Sequence, residues 1–379
     1  MRGQSARPII ISPPQLTQRG TVTHVAAEID GTPLWFESSD VNLVPSIEAF
    51  ASALLLQSQH TGRTLILEST VSETWRNNVA ALLPIWKQWW GYEIKQPLCA
   101  TRPDNSPPDK GTALMFSGGV DSFYSLFAGP RPDFLVSVHG FDIDLADRER
   151  ALALENALKD AADAQGCIPV LIRTNLREHP GAGKPRLWDR AHGGALAAIG
   201  HLLTDRIDQL VVSSSYSNPV THPWGSTPQT DSLLSGDRLT VTHFGGDCRR
   251  EDRVGAIARN LLVRKHLRVC WENRSPANNC SRCEKCVIAM MHLAEHGVLG
   301  EVDRFDATSV LAERIDKLPL VNRELNVMSR IAARGLLDVR VARSLENLLK
   351  RSRRAAPFFA LKARLEGSTL RRLNPQPLR

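Results

Sequence analysis

The stretch A-L-M-F-S-G-G-V-D-S-F-Y-S-L, residues 113–126, contains the strongest signal in this chain of 379 residues. An apolar run typical of a buried strand breaks at a polar segment, Ser117–Ser122, and then resumes. Two glycines let the backbone approach a ligand closely because they carry no Cβ. The first turn of a helix presents unpaired N–H groups that attract anions. The stretch therefore predicts a strand, a phosphate-binding turn and a helix.

The side chains of this segment add to the backbone donors. Ser117 and Ser122 supply hydroxyl groups, and the carboxylate of Asp121 is a ligand type that holds Mg²⁺ against phosphate oxygens. No lysine closes the turn, so it is not a G-x-x-x-x-G-K-[ST] loop, and it does not match G-x-G-x-x-G either. The prediction is a phosphate cradle of a different type.

The motif S-G-G-V-D-S resembles the PP-loop of ATP pyrophosphatases, which split ATP into AMP and pyrophosphate by adenylating a substrate oxygen. The resemblance implies ATP and Mg²⁺ as ligands and catalytic roles for Ser117, Asp121 and Ser122. It places His139, which begins H-G-F-D-I-D after the next strand, near the adenine. The implied ATP-binding residues of the turn itself are Phe116, Ser117, Gly118, Gly119, Val120, Asp121 and Ser122.

Strands and helices alternate from Leu114 onward. Apolar segments that fit strands are A-L-M-F, F-L-V-S-V-H-G, P-V-L-I-R-T, Q-L-V-V-S-S-S and L-T-V-T-H-F. Helical stretches lie between them near 147–165, 188–204 and 251–266. This alternation predicts an α/β fold with a parallel sheet, helices on both faces and ligands at the carboxyl ends of the strands. With the turn motif, the expected fold is the Rossmann-like PP-loop fold.

Four segments are predicted along the chain. Residues 1–97 read as a small α/β domain containing a hairpin that turns at Asp30-Gly31. Residues 98–110 are rich in Pro, Asp and Asn and read as a linker. Residues 111–300 form the PP-loop domain with a metal site, and residues 301–379 form a helical extension with a basic end.

Four of the seven cysteines lie in C-W-E-N-R-S-P-A-N-N-C-S-R-C-E-K-C, and Cys99, Cys167 and Cys248 lie apart from them. The C-x9-C-x2-C-x2-C spacing suits a tetrahedral thiolate site, and a closed set of four thiolates predicts structural zinc. An iron–sulfur cluster accepts the same ligands, and four buried free thiols are a third interpretation. The odd total favours a reducing compartment over a disulfide scaffold. The predicted ligands are Cys270, Cys280, Cys283 and Cys286.

Apolar residues make up 42% of the chain, and no run approaches the roughly 18 apolar residues of a membrane span. The start, M-R-G-Q-S-A-R-P-I-I-I-S-P-P, lacks the apolar core of a secretory signal. We therefore expect a cytoplasmic protein without a membrane partner.

Positive charge is concentrated at the end of the chain. Residues 341–379 carry ten Lys and Arg against two Glu, a net +8 that exceeds the +7 of the whole chain. This tail fits a solvated helix face, or a docking element for an acidic partner or nucleic acid. Nucleic acid is less favoured because the tail's aromatics, Phe358 and Phe359, make a poor stacking platform for bases.

The S-G-G-x-D-S turn and the four-cysteine motif, in this order, resemble 7-cyano-7-deazaguanine synthase. The resemblance spans 111–295, and Ser281 stands where the family usually has glycine. It implies adenylation of a carboxylate on a 7-deazaguanine, release of pyrophosphate and attack by an amine to give an amide. In the family, a second ATP-driven round dehydrates that amide to a nitrile.

The loop 213–235 departs from the family's D-Y-S-G-Y-P-D-C-R segment. A flat aminopyrimidinone needs an aromatic wall and a carboxylate facing its N–H donors. Tyr216 and Trp224 are the candidates for the wall, and Asp231 for the carboxylate. In the alternative interpretation, Trp224 only packs within the loop, and Asp231 caps a helix that begins near Ser232.

Negative charge develops on the leaving pyrophosphate, and cations must offset it. Basic residues cluster before the helices predicted near 188–204 and 251–266. A solvated role is the default for most of them. Arg190 and Arg253 are the candidates for contact with pyrophosphate.

The acceptor amine stays open at the level of sequence. Divergent relatives in bacterial antiviral operons resemble modifiers of protein N-termini, and the extra N-terminal segment and basic tail favour a protein acceptor. One alternative is an ordinary nitrile-forming synthase that uses ammonia. A PP-loop enzyme that modifies tRNA or another RNA base is the second, disfavoured by the absence of a basic stripe in 1–340. A non-catalytic nucleotide-binding scaffold is the third, disfavoured by the intact turn motif.

Overall fold

A mixed β-sheet is the central element of this computed structural model. The structure describes residues 7–105, 109–182, 187–220, 222–273, 278–306, 310–321 and 324–373, with side chains described through 358. The chain divides into two units, Met1–Arg268 and Val269–Arg379.

The strands of the first unit follow one another along the described chain. They are β1 (Ile9–Ile11), β2 (Gln15–Arg19), β3 (Val22–Ile29), β4 (Thr32–Ser38), β5 (Leu65–Leu67), β6 (Val71–Ser72), β7 (Thr101–Arg102), β8 (Gly111–Met115), β9 (Phe134–His139), β10 (Ile168–Thr174), β11 (Ile207–Ser213) and β12 (Thr240–Phe244). Strands β6 and β7 pair with each other, and the other ten form one sheet within the described residues.

The order in that sheet is β12-β11-β8-β9-β10-β4-β3-β1-β5, with β2 paired to β3. Strands β8 to β12 are mutually parallel, as the alternation of apolar segments predicts. The chain runs from β8 outward through β9 and β10, then returns to the other side of β8 for β11 and β12. Strand β8 is therefore the point where strand order reverses, and ligands of open α/β sheets bind at the carboxyl end of such a point.

The N-terminal strands continue the same sheet. Strand β4 pairs antiparallel with β10, with Phe36 opposite Thr174. Strands β3 and β4 form the predicted hairpin, in which Asp30 and Gly31 have φ of 51° and 81° and so meet the positive-φ requirement of a two-residue turn. The sheet thus contains strands from both 1–97 and 111–300.

Helices flank the sheet of the first unit. They are α1 (Ile47–Thr61), α2 (Glu73–Trp90), α3 (Val120–Ala128), α4 (Arg148–Gln165), α5 (Trp188–Leu202), α6 (Pro228–Asp231), α7 (Arg250–Ile257) and α8 (Leu261–His266). The single helix predicted near 251–266 is two helices, because the side chain of Asn260 accepts a hydrogen bond from Leu262 N and starts α8. Helix α1 packs closely on α5, since a Cβ on Gly194 would lie 2.3 Å from the carbonyl oxygen of Ser52.

The second unit is helical beyond its cysteine-rich start. Its helices are α9 (Glu284–Glu295), α10 (Leu311–Asp316), α11 (Leu325–Arg334) and α12 (Val339–Leu373). Leu345 and Leu348 of α12 are fully buried, as are Met328 of α11 and Ile315 of α10. Across the described part of the chain, no helix has both the length and the apolar character needed to cross a membrane.

Candidate functional site

The predicted turn lies at the carboxyl end of β8, where Ser117–Gly119 (the glycine turn) connects β8 to α3. Hydrogen bonds to strand β9 hold Phe116, the residue just before the turn. Phe116 N donates to Val136 O at 2.7 Å, and Ser137 Oγ donates to Phe116 O at 2.6 Å. Gly118 has φ of +72°, a region that side chains with a Cβ rarely adopt. The strand, turn and helix predicted for this stretch are all present.

The two serines of the motif play different structural parts. Ser122 is buried, and its Oγ accepts a hydrogen bond from Ser117 N at 3.3 Å and donates to Gly119 O at 3.1 Å. Ser117 is exposed. Gly119 precedes α3 and has no side chain to cap its first-turn N–H groups. Ser122 therefore shapes the turn, while Ser117 and the helix start face outward as donors.

The residues after α8 lie against the back of the glycine turn. Arg268 N donates to Gly118 O at 2.8 Å. A Cβ added to Gly119 would lie 3.6 Å from Arg268 O, and one on Gly118 would lie 3.7 Å from His266 O. Both distances are ordinary van der Waals contacts, so the positive φ of Gly118, rather than crowding by this backbone, is what favours glycine there.

Two arginines hold the carboxylate of Asp121. Arg250 Nη2 lies 2.7 Å from Oδ2, and Arg253 Nη1 lies 2.7 Å from Oδ1. Arg253 is 1% exposed and also donates to the carbonyl oxygens of Ser214, Gly245 and Cys248. Because each carboxylate oxygen already accepts from a guanidinium, the arrangement does not support Asp121 as a direct Mg²⁺ ligand.

The two arginines predicted for pyrophosphate are in different places. Arg253 is close to the glycine turn, because it is paired with Asp121 in the first turn of α3. Arg190 lies elsewhere: its Nη1 donates to the hydroxyl of Tyr92 at 2.8 Å, and its guanidinium lies over the ring of Trp90. Arg250 is a partner of Asp121 that the sequence analysis did not single out as a site residue. The signal was its spacing: positions 250 and 253 are three residues apart and share a face of α7.

His139 ends β9 and is buried, with its Nε2 3.0 Å from Asp144 O. The next residue, Gly140, has φ of +106°, and a Cβ there would lie 1.9 Å from Thr174 O. The backbone at the end of β9 therefore approaches β10 as only glycine allows. The imidazole of His139 is hydrogen-bonded to a protein carbonyl. This arrangement supports a structural role for His139 better than contact with adenine.

The two predicted wall residues lie together in the loop 214–236, which the structure describes except at 221. The rings of Tyr216 and Trp224 are 5.5 Å apart and perpendicular, and His222 lies 4.4 Å from Tyr216. His192 of α5 adds a ring 5.3 Å from Trp224. Burial lowers the pKa of His192, so it is neutral at physiological pH. The cluster is an aromatic surface that begins just beyond the end of β11.

Asp231, the predicted substrate carboxylate, is 1% exposed. Its Oδ2 accepts from Ser226 Oγ at 2.5 Å and faces His243 Nε2 at 2.9 Å. Its Oδ1 accepts from Thr227 N at 3.2 Å and Thr230 Oγ at 3.1 Å. It makes no side-chain cap on the short 3-10 turn that begins at 232. The structure thus supports neither predicted role, and Asp231 instead organises the interior of the loop.

Gly225 ties this loop to α5. Its N donates to Asp189 O at 3.1 Å, and its O accepts from Gly193 N at 2.9 Å. In a regular helix Gly193 N would donate directly to Asp189 O. Here the peptide group of Gly225 bonds to both atoms and so replaces one backbone hydrogen bond of α5. A Cβ on Gly193 would lie 2.3 Å from Gly225 O, which explains the glycine at each position.

The four predicted cysteine ligands of the second unit come together and are buried, with all Sγ atoms within 4.8 Å of one another. The Sγ–Sγ distance is 4.0 Å for Cys270 and Cys283, and 3.9 Å for Cys280 and Cys286. Tetrahedral zinc with Zn–S near 2.3 Å needs sulfur separations of about 3.8 Å. The donor set therefore fits a metal such as zinc.

Hydrogen bonds between backbone N–H groups and sulfur atoms hold the cysteines of this cluster in place. Cys283 caps α9 by accepting from Cys286 N, and its own N donates to Cys280 Sγ at 3.3 Å. Hydrogen bonds from Cys283 and Cys286 hold the pKa of Cys270 well below its usual range. Ser281 has φ of +56°, in the left-handed region that favours glycine.

No protein-family model matches the chain, and no curated protein matches its sequence. Among solved structures, a type III CRISPR defence DNA nuclease activated by cyclic oligoadenylate has partial similarity, with a TM-score of 0.21 and 10% identity. The match covers 84% of this chain and 57% of that chain. A similarity this low carries no argument about fold or function.

Proposed function

We propose that this protein is an ATP-dependent ligase of the PP-loop type that activates 7-carboxy-7-deazaguanine or a similar carboxylate and joins it to an amine. The observation that supports this most is the glycine turn at the carboxyl end of β8, the strand where the sheet order reverses. The exposed hydroxyl of Ser117 and the start of α3 present donors there. Such donors suit the phosphates of ATP.

In the proposed first step, a carboxylate oxygen attacks the α-phosphorus of ATP. The bond from that phosphorus to the α,β-bridging oxygen breaks, and pyrophosphate leaves with the electron pair. Arg250 is the cation best suited to the leaving group, because its side chain is 33% exposed while Arg253 is buried. Asp121 orients both guanidinium groups in this scheme. Mg²⁺ enters with ATP in our proposal, and we assign it no protein ligand.

In the second step, the amine nitrogen attacks the acyl carbon. The bond from this carbon to the AMP oxygen breaks, an amide forms and the nitrogen loses a proton. The aromatic surface of Tyr216, His222 and Trp224 is the proposed wall for the flat ring of the carboxylate. Asp231 is not assigned to the substrate, because protein donors already occupy both of its oxygens.

The four-cysteine cluster is proposed to hold structural zinc, since four thiolates leave no open position for catalysis. The amine acceptor is proposed to be a protein, in bacterial antiviral defence, as the basic 341–379 tail suits a macromolecular partner better than ammonia. Ammonia, with a free nitrile as the end product, is the alternative acceptor.

The test is ATP–pyrophosphate exchange with 7-carboxy-7-deazaguanine. We expect exchange only when the carboxylate is present, abolished in Asp121→Ala and lowered roughly 100- to 1000-fold in Ser117→Ala, as for loss of a transition-state donor. Asp163→Ala, an exposed change on α4, is the matched control and should keep full exchange. Persistent exchange in Asp121→Ala would remove Asp121 from the mechanism.

Mass spectrometry of complete reactions identifies the acceptor. A mass increase on a co-expressed protein supports a protein amine, whereas a free nitrile supports ammonia. Wild-type protein without carboxylate-dependent exchange would refute the proposed activity.

A further inference from the structure

Three polar residues form a line at the carboxyl edge of the sheet. Ser214 Oγ lies 3.1 Å from His243 Nδ1, and His243 Nε2 lies 2.9 Å from Asp231 Oδ2. Ser214 follows β11, His243 belongs to β12 and Asp231 ends α6. A hydroxyl, an imidazole and a carboxylate in this order are the groups that transfer a proton in acyl chemistry.

The hydrogen-bond roles follow from the donors and acceptors present. The carboxylate of Asp231 only accepts, so Nε2 of His243 carries the hydrogen that faces it. Nδ1 is then the free acceptor and receives the hydroxyl hydrogen of Ser214. The sheet fixes this geometry, because Ser214 N also donates to Phe244 O at 2.9 Å. In this arrangement Nδ1 of His243 is the atom that can take a proton through Ser214.

The outer end of this line lies at the same edge as the glycine turn. Strands β8 and β11 are parallel neighbours with Leu114 opposite Val211. Ser117 and Ser214 each lie three residues beyond that pair. Arg253 links the two strand ends, since its Nη1 donates both to Ser214 O and to Asp121 Oδ1.

We propose that His243, acting through Ser214, accepts the proton that the attacking amine loses when it displaces AMP. This inference rests on the proposed ligase function. The amine nitrogen forms its bond to the acyl carbon, and its proton passes to Ser214 Oγ as the Ser214 hydroxyl proton passes to His243 Nδ1. The electron pair of the broken acyl–oxygen bond leaves with AMP. His243 becomes an imidazolium paired with Asp231, and the proton is then released to AMP or water.

Burial favours a relay over a covalent nucleophile. Ser214 is 2% exposed, whereas a nucleophile must let an acyl carbon reach its oxygen. A relay needs only one hydrogen bond to the amine. Asp231 of α6 contacts His243 directly. Arg253 of α7 donates to the backbone oxygen of Ser214, and His192 of α5 interacts electrostatically with Asp231.

The test separates the two half-reactions, using 7-carboxy-7-deazaguanine with ATP and ammonia as the probe amine. We expect Ser214→Ala and His243→Asn to keep ATP–pyrophosphate exchange within about twofold. Amide formation should fall at least roughly 100-fold, the usual contribution of a general base. Ser214→Thr, which keeps a hydroxyl, should restore most of the rate.

Ser213→Ala is the matched control, the same change one residue earlier on β11, and should leave both half-reactions unchanged. Unchanged amide formation in Ser214→Ala, or an equal loss of both half-reactions, would overturn the relay while leaving the ligase intact. An acyl group found on Ser214 by mass spectrometry would replace it with covalent catalysis. Absence of wild-type exchange would instead overturn the ligase function and the relay together.

Discussion

Arg253 lies buried against Asp121, with Nη1 2.7 Å from Oδ1, and it also donates to the backbone carbonyl of Ser214. One side chain on α7 therefore joins the first turn of α3 to the end of β11. Arg250 completes the pair on the other oxygen of Asp121 from a position that is one-third exposed. Because the two arginines differ in burial, we expect them to contribute differently to the free energy of unfolding.

Arg253→Met is expected to lower the free energy of unfolding by about 3–5 kcal/mol, because it removes a buried ion-pair partner from one oxygen of the partly buried Asp121 and leaves the carbonyls of Ser214, Gly245 and Cys248 without this donor. Arg250→Met should lower it by only about 0.2–1 kcal/mol, as for exposed ion pairs. Urea unfolding of both variants measures the difference. Equal losses of unfolding free energy in the two variants would contradict the larger contribution assigned to Arg253.

Metal analysis of the purified protein is expected to give about one zinc per chain, since four thiolates complete a tetrahedral site. Cys286→Ser should remove most of this zinc and lower the melting temperature. Cys167→Ser, a buried cysteine outside the cluster, is the control and should keep the metal. Iron with labile sulfide, or full zinc content in Cys286→Ser, would contradict the assignment.

Gly140→Ala is expected to be severely destabilising, because the new Cβ would lie 1.9 Å from Thr174 O and backbone must move. Gly62→Ala is the matched control: its φ is also positive, at +66°, but no atom lies within 4 Å of the added carbon. We expect about 1–2 kcal/mol for Gly62→Ala, the cost of left-handed backbone alone. A smaller loss of unfolding free energy in Gly140→Ala than in Gly62→Ala would refute the close approach of β9 to β10.

The carboxylate of Asp237 is expected to stabilise the fold in a pH-dependent way. Burial acts to raise its pKa, but hydrogen bonds from Arg102 and Asn105 N outweigh burial and hold the pKa below its ordinary value of 3.8. A lowered folded-state pKa contributes stability above the unfolded value, and this contribution is lost as pH falls through the folded value. Asp237→Asn should therefore cost most at neutral pH and progressively less below pH 3.8.

Urea unfolding of the wild type and Asp237→Asn at neutral and acid pH tests this sign. A gap in unfolding free energy that stays constant across the range would show that Asp237 titrates alike in both states.

Local signals in the sequence were sufficient for much of this structure. The S-G-G-V-D-S turn, the five parallel strands and the hairpin at Asp30-Gly31 each follow from a few adjacent residues, and the structure contains all of them. The four cysteines were also predictable, because their spacing alone brings the thiols within reach of one metal. The break between α7 and α8 had a local signal, the helix-capping Asn260, that the prediction of one helix overlooked.

Contacts between distant residues were not predictable in this way. The pairing of Phe36 with Thr174, which extends the sheet, joins residues far apart along the chain. Burial of Asp231 depends on His243 and on the packing of the whole loop. The contact of Arg190 with Tyr92 likewise depends on tertiary structure rather than on sequence near either residue.

The insertion of Gly225 into α5 anchors the end of the loop segment that follows β11 to a neighbouring helix. Inside that segment, Asn218 N adds a backbone attachment by donating to Gly246 O at 2.6 Å, and the ring of Trp224 lies 5.3 Å from that of His192 on α5. Changes to the loop should therefore retain both of these contacts. Protein engineers who wish to alter what this edge of the sheet accepts should begin with that segment and leave both glycines in place.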